Sequence, residues 1–415
     1  MIKKIKKSEI DGQITVPSSK SHFQRLLAGA LLSKGKSEIN FVSISNDTRS
    51  VIELIQLLGA KVEISKNQIT IEGGFRDSAI NLNVGESGLG LRLFTPIVAL
   101  QNRIFKITGT RTLLNRPVDF IVESMKKFHV HIESDNGKLP LYIKGPLVAA
   151  DAEIEGSFSS QLLTGLLMSL PLIKEDSKIT VKNLTSKPYI DLTINTLKLF
   201  NIKIEHKNYK TFNVKGKQNY TPVKVNVEGD WSSAAFILVA AAISGEILVK
   251  GLNFESMQGD KNIIEVLKKC GAKVEIDNNL IRVKKYKLIA FEYDATETPD
   301  LFPPLVALAA NCKGISTIHG VNRLIHKESN RANSLKSEFE KLGANIAIHE
   351  DRMLIEADGL TGNKVSSHDD HRIAMALTVA GLTASGDTEI EKSECVSKSW
   401  PSFFQQLNSI GAIIN

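Results

Sequence analysis

A four-residue pattern recurs six times at nearly constant spacing, and this limits the fold more than any other feature of the sequence. An amphipathic helix ends and a short strand follows at Gly59-Ala60-Lys61-Val62, His129-Val130-His131-Ile132, Asn201-Ile202-Lys203-Ile204, Gly271-Ala272-Lys273-Val274, Gly343-Ala344-Asn345-Ile346 and Gly411-Ala412-Ile413-Ile414. The starts lie 70, 72, 70, 72 and 68 residues apart, which implies internal repetition. The preceding helices carry apolar residues at helical spacing, as in Val51-Ile52-Leu54-Ile55-Leu57-Leu58 and Ile263-Ile264-Val266-Leu267. A second strand follows the first five instances, as in Gln68-Ile69-Thr70-Ile71, whereas the sixth stops at Asn415. Gln13-Ile14-Thr15-Val16 has the pattern of that missing strand, so the two termini are expected to meet in one domain. The lysine-rich segment before it reads as a solvated face.

Each repeat also holds an earlier, more apolar helix with polar residues at its start. These starts are Ser19-Lys20-Ser21, Glu86-Ser87-Gly88, Ser159-Ser160-Gln161, Asp230-Trp231-Ser232-Ser233, Thr298-Pro299-Asp300 and Asp370-His371-Arg372. A unit therefore reads strand, buried helix, strand, loop, amphipathic helix, strand, strand. Six units split naturally into three per domain. This predicts an α/β fold of two similar domains, residues 1–19 plus 229–415 and residues 20–228. The chain crosses twice between them, with Gly229-Asp230 as a hinge.

A chain of 415 residues with 42% hydrophobic and 23% charged residues is ordinary for a globular protein. No apolar run reaches the roughly 20 residues of a membrane span, and the N-terminus lacks the apolar stretch of a signal peptide. Cys270, Cys312 and Cys395 are scattered and odd in number, suggesting neither a disulfide framework nor a zinc cluster. A cytoplasmic protein is expected. The net charge of +7 admits nucleic acid or small anions as partners, but 6% aromatic residues leave few stacking platforms for single strands.

Unusual polar residues gather at two places in each unit. The starts of the buried helices carry Lys20, Arg25, Arg92, Gln161, Asp300 and Arg372. The loops before the amphipathic helices carry Arg111, Arg116, Ser186-Lys187-Pro188-Tyr189, Lys327-Glu328-Ser329-Asn330-Arg331 and Lys398. In Pro17-Ser18-Ser19-Lys20-Ser21-His22-Phe23-Gln24-Arg25, cations stand in the first turns of an apolar helix, where the dipole is already positive. Free amides, serine hydroxyls and cations together suit an anion. If the repeats are pseudo-symmetric, several such starts face one way in each domain, and two faces meeting across a cleft would suit substrates with several phosphates or carboxylates. Asp300 and Glu328, acids among these cations, are candidates for proton transfer. His368 and His371 read as a cap and a packed side chain, since no third metal ligand is nearby. No Walker phosphate loop and no strand-linked Gly-x-Gly-x-x-Gly unit occurs.

With these residues in view, the chain resembles the 5-enolpyruvylshikimate-3-phosphate synthase family of enolpyruvyl transferases. The resemblance rests on Ser19-Lys20-Ser21 with Arg25, the loop Gly85 to Arg92, Arg116-Pro117, Ser159-Ser160-Gln161, Ser186-Lys187-Pro188-Tyr189, Glu228-Gly229-Asp230, Lys327-Glu328 with Arg331, Asp370-His371-Arg372 and Lys398. It implies two domains of three βαβαββ units, each an inside-out α/β barrel. The implied reaction moves the enolpyruvyl group of phosphoenolpyruvate to the 5-hydroxyl of shikimate 3-phosphate, without metal or organic cofactor. Lys20 would touch both substrates. Ser21, Arg25, Ser159, Ser160, Gln161, Ser186, Tyr189, Asp300 and Lys327 would hold shikimate 3-phosphate. Gly88, Arg116, Gln161, Arg331, Arg372 and Lys398 would hold phosphoenolpyruvate. Asp300 would take the proton of the attacking hydroxyl, and Glu328 would serve the methylene carbon. A monomer without nucleic-acid or membrane partners is expected.

Three positions depart from the family pattern. Glu86-Ser87-Gly88-Leu89 stands where Asn-Ala-Gly-Thr or Asn-Ser-Gly-Thr is usual, Arg323 where Asn is usual, and Asn330 where Asp is usual. The rival readings are the sister enzyme that acts on a UDP-amino sugar and a repeat-built nucleic-acid-binding protein. The first usually carries a loop cysteine, and residues 109–117 contain none. The second predicts a basic stripe on solvated faces.

Overall fold

The helix Trp231–Ser244 is apolar all round, and every one of its 14 residues is buried, as befits a helix enclosed on all sides. The computed structural model describes residues 1–76 and 78–415. The chain divides into two compact units, Ser18–Glu228 and Met1–Pro17 with Gly229–Asn415. In the second, Trp231–Ser244, Phe302–Ala309 and His371–Gly381 pack against one another. In the first, Lys20–Leu32, Gly88–Val98 and Ser160–Ser169 are the corresponding helices. Five of these six start at a polar cap: Ser19, Ser87, Ser159, Asp230 and Asp370 each accept a bond from a backbone N–H of the first turn. The sixth begins as a 3₁₀ turn, Pro299–Leu301, and its prolines sit where helical N–H groups lack partners anyway.

Among the described residues each unit holds three four-stranded sheets of one pattern. The first strand pairs parallel with the second, the second antiparallel with the fourth, and the fourth antiparallel with the third. Asp151–Glu155, Ser177–Lys182, Glu205–Lys207 and Thr211–Val214 illustrate it. A parallel pair needs a crossover connection, and the buried helix provides it. No helix among the described residues is long and apolar enough to cross a membrane.

Two sheets complete this pattern by exchanging strands. Ile10–Thr15 precedes the helix Lys20–Leu32 yet pairs with Gly245–Lys250. Lys224–Asn226 precedes Trp231–Ser244 yet pairs with Lys36–Asn40. Both crossings thus fall at the same point of the repeat, between a first strand and its buried helix. Backbone bonds secure them inside each unit: Ser19 N–H to Glu228 O at 2.7 Å, and Asp230 N–H to Pro17 O at 2.9 Å.

One expectation is corrected here. The strand that completes the sixth repeat is Ile2–Lys6, which pairs with Thr388–Glu391 and with Ile413–Ile414, not the segment ending in Gln13-Ile14-Thr15-Val16. The lysines concealed it, because Ile2 and Ile5 stand three apart and only Ile5 is buried. The alternation that marks a half-buried strand is therefore absent.

Gly165 lets the helices Gly88–Val98 and Ser160–Ser169 approach closely. A Cβ there would lie 2.8 Å from the carbonyl oxygens of both Arg92 and Leu93. Backbone cannot swing aside like a side chain, so Gly165→Ala is expected to destabilise the Ser18–Glu228 unit by about 1–3 kcal/mol. Denaturant unfolding checks this, and an unchanged midpoint would mean that the helices separate at no cost.

Candidate active site

In the unit Ser18–Glu228, the starts of the buried helices are tied together by side chains. Ser87 Oγ donates to Gln24 Oε1 at 3.1 Å, and Arg92 Nη1 donates to Gln161 Oε1 at 2.9 Å and to Gly88 O at 3.2 Å. A Cβ on Gly88 would fall within 2.9 Å of an Nη1 atom of both Arg92 and Arg116. Glycine there leaves room for two guanidinium groups beside a helix start. Lys20 Nζ lies 3.0 Å from Asp47 Oδ2, whose carboxylate is buried. Ser159 caps its helix through Gln161 N–H, and Ser160 is buried beside it. Ser186 adopts a left-handed conformation at the head of Lys187–Leu199, with Tyr189 in that helix's first turn.

Arg25 is only 1% exposed and is held by its own unit. Its guanidinium donates to Thr193 Oγ1 at 2.9 Å, Ser21 O at 2.7 Å and Tyr189 O at 3.2 Å. It therefore fixes Ser21 and Tyr189 relative to one another. Of the departures from the family pattern, Glu86 meets Arg111 at 4.0 Å and accepts from Thr112 Oγ1 at 3.4 Å, so a cation of the following loop faces its charge.

In the unit formed by both termini, Arg331 is the centre of the site. It is 1% exposed and gathers three carboxylates: Nε to Asp370 Oδ2 at 2.7 Å, Nη1 to Asp300 Oδ1 at 2.8 Å and Nη2 to Glu328 Oε2 at 2.6 Å. Arg372 Nη2 reaches the other Asp300 oxygen at 2.9 Å, and Lys398 Nζ lies 3.9 Å from Glu328 Oε1. Burial pushes the Asp300 carboxyl up, but Arg372, Lys327 and Arg331 outweigh it and hold the group well below the usual carboxylate range. Burial lowers the Lys327 ammonium to about 8 despite the pull of Asp300. Asn330 caps Arg331–Lys341 by accepting from Asn333 N–H, a role its amide oxygen performs as a carboxylate would. Arg323 is half-buried, and burial lowers its pKa against the pull of Glu297, Asp300 and Asp351.

The structure thus brings together Asp300, Glu328, Arg331, Arg372 and Lys398 in one unit, and in the other it gathers Gly88, Arg116 and Gln161 around Arg92, with Lys20 paired to Asp47. Sequence reasoning missed Asp47, which reads as an ordinary first-turn acid, and the part Asp370 plays in holding Arg331. It also missed Asp260, fully buried and accepting from Ser232 Oγ. Burial, with Asp300 nearby, lifts the Asp260 carboxyl to about 7. Cys395 is buried, and burial pushes its thiol up to about 12, which leaves it unreactive. Glu328, Asp370 and His371 each bring a potential metal-ligating atom within 4.8 Å of the others, but Arg331 donates to both carboxylates, so a guanidinium already occupies the position of a cation.

Two units of three repeats, with cations and carboxylates gathered at the starts of buried helices, define a repeat-built α/β enzyme that handles anions. The family model described as EPSP synthase (3-phosphoshikimate 1-carboxyvinyltransferase) matches residues 4–407, and the chain belongs to this family. It is 37% identical to a 3-phosphoshikimate 1-carboxyvinyltransferase of Clostridium kluyveri, over 99% of this chain and 97% of the relative. An EPSP synthase structure from Acinetobacter baumannii superposes with a TM-score of 0.85 at 25% identity, covering 100% of this chain and 99% of the other. The enolpyruvyl transferase NikO from Streptomyces tendae shares the fold, with a TM-score of 0.83 at 16% identity over 100% of this chain and 98% of NikO. The two-domain architecture is therefore that of the family.

Proposed function

We infer that this chain transfers the enolpyruvyl group of phosphoenolpyruvate to the 5-hydroxyl of shikimate 3-phosphate, giving 5-enolpyruvylshikimate 3-phosphate and inorganic phosphate. One observation carries the reading: in a chain of this family, two carboxylates, Asp300 and Glu328, share the buried Arg331 with Arg372 and Lys398 alongside. Glu328 delivers a proton to the methylene carbon of phosphoenolpyruvate, which makes the neighbouring carbon electrophilic. The 5-hydroxyl oxygen attacks that carbon while its proton passes to Asp300. Glu328 then removes a proton from the new methyl group, the double bond re-forms as the C–O bond to phosphate breaks, and the proton held by Asp300 passes to the departing phosphate.

Arg331, Arg372 and Lys398 hold the charges of phosphoenolpyruvate, as do Lys20, Gly88, Arg116 and Gln161. Ser21, Arg25, Ser159, Ser160, Gln161, Ser186, Tyr189 and Lys327 hold shikimate 3-phosphate. Because Asp300, Glu328 and Asp370 engage Arg331, a substrate anion reaching that guanidinium competes with them. Each carboxylate it displaces is released for proton transfer. A monomeric, cytoplasmic enzyme is the form this reading carries.

The test is phosphate release with phosphoenolpyruvate, with and without shikimate 3-phosphate. Release is expected only when both are present. Release with a UDP-amino sugar instead, or salt-dependent DNA binding without turnover, would overturn the reading.

A further inference from the structure

Directly before the helix His371–Gly381, the chain makes a turn whose two central residues are both left-handed. His368 and Asp369 both have positive φ, 53° and 58°, and Asp370 N–H closes the turn on Ser367 O at 2.9 Å. Two consecutive left-handed central residues are the mark of a turn that usually holds Gly, Asn or Asp. An imidazole-bearing residue tolerates that region less well than glycine, so something must hold it there. The next residues are Asp370, which grips Arg331 Nε at 2.7 Å, and Arg372, which grips Asp300 at 2.9 Å. Asp370 ends the turn as the cap of that helix, and Arg372 lies two residues further on.

Glu338, from the helix Arg331–Lys341, holds it. The side chain is 2% exposed, and both oxygens are engaged on the turn: Oε2 accepts from Ser366 N–H at 2.9 Å, and Oε1 meets His368 Nε2 at 2.8 Å. Lys341 Nζ, 2.8 Å away, balances the charge. Ser366 Oγ accepts from His368 N–H and Ser367 Oγ from Asp369 N–H, both at 3.2 Å, and these local bonds shape the turn together with the exposed Lys392–Asp369 pair. Glu338 ties it to the helix that begins with Arg331. Among the described residues it bonds to none of Asp300, Glu328 or Arg331, so the chemistry of the site does not account for a fully buried carboxylate at this position.

We propose that Glu338 is a positioning residue for the reaction, which latches the left-handed Ser367–Asp370 turn to the helix Arg331–Lys341 and so keeps Asp370 and Arg372 aimed at Arg331 and Asp300. This rests on the assignment of Arg331 and Arg372 to phosphoenolpyruvate. Small displacements of such groups reduce catalysis strongly. Glu338→Ala is expected to raise KM for phosphoenolpyruvate by roughly tenfold or more, with KM for shikimate 3-phosphate changed less than twofold. Glu338→Gln, which keeps an acceptor for Ser366, should recover most of the loss.

The decisive variant is Glu338→Ala/Asp369→Gly. Glycine takes the left-handed conformation without a side-chain penalty, so the double variant should regain much of the wild-type KM, whereas Asp369→Gly alone should be close to wild type. If Glu338→Ala does not fold, Glu338→Asp carries the same expectation, because its carboxylate falls one methylene short of Ser366. A wild-type KM in the folded single variant, or no recovery in the double variant, overturns the proposal. Should the wild type itself release no phosphate, the functional assignment fails rather than the latch. The latch is then read by hydrogen exchange at the amides of residues 370–372: faster in Glu338→Ala and slowed again by Asp369→Gly supports it, and unchanged exchange sinks it.

Discussion

Replacing Arg331 by methionine is expected to abolish measurable turnover and to destabilise the unit formed by both termini by about 3–5 kcal/mol. The guanidinium is almost fully buried and is shared by Asp300, Glu328 and Asp370. Without it the cluster keeps three carboxylates close together, with Arg372, Lys327 and Lys398 as cations still beside them. Uncompensated buried charge is among the few causes of so large a loss from one substitution. Asp370 stands to lose most, since it is 0% exposed and also caps His371–Gly381. Arg331→Lys should restore little, because an ammonium cannot reproduce a planar fork donating to three partners. Steady-state kinetics and denaturant unfolding test both parts. A methionine variant as stable as the wild type would mean that the carboxylates find other partners or take up protons, and that Arg331 does not organise the cluster.

Asp300→Asn and Glu328→Gln are each expected to lower kcat by roughly a hundredfold or more, with smaller effects on either KM. Both amides keep the shape of the acid and can still accept a hydrogen bond, but they cannot exchange a proton in the same way. Asp300 is held well below the usual carboxylate range, with burial opposed by Arg372, Lys327 and Arg331. It is therefore ionised at neutral pH and available as an acceptor, more so as a substrate anion draws the arginines away. The expected pattern is a fall in kcat that an excess of substrate does not restore. Either variant turning over at close to the wild-type rate would remove that residue from the proton transfers.

The repeat was legible because spacing survives where residue identity does not: six helix-to-strand junctions at intervals of 68 to 72 residues can be seen without any contact. The starts of the buried helices were legible for a related reason, since Ser19, Ser87, Ser159, Asp230 and Asp370 are caps and caps announce themselves locally. What stayed hidden depends on partners distant in sequence. Asp47 is one first-turn acid among several until Lys20 is seen beside it. Arg25 can be recognised as a cation at a helix start, but its bonds to Thr193 and the Tyr189 carbonyl, more than 160 residues away, cannot. Glu338 carries no local signal of its own, and its value comes from Ser366 and His368, 28 and 30 residues on. The strand Ile2–Lys6 was obscured differently, by a composition that resembles a basic tail.

The exchange of strands at the two crossings sets an order of events during synthesis. Ser18–Glu228 is one continuous stretch, so that unit can assemble once residue 228 has emerged. The other unit cannot. Ile10–Thr15 must wait for Gly245–Lys250, and Ile2–Lys6 for Thr388–Glu391 and Ile413–Ile414. At roughly 5–20 residues per second the ribosome leaves those first strands without partners for tens of seconds. Unpaired strand edges invite pairing with other chains. The lysines at 3, 4, 6 and 7, which hid the first strand from sequence reading, also give that waiting segment the charge that keeps nascent chains apart.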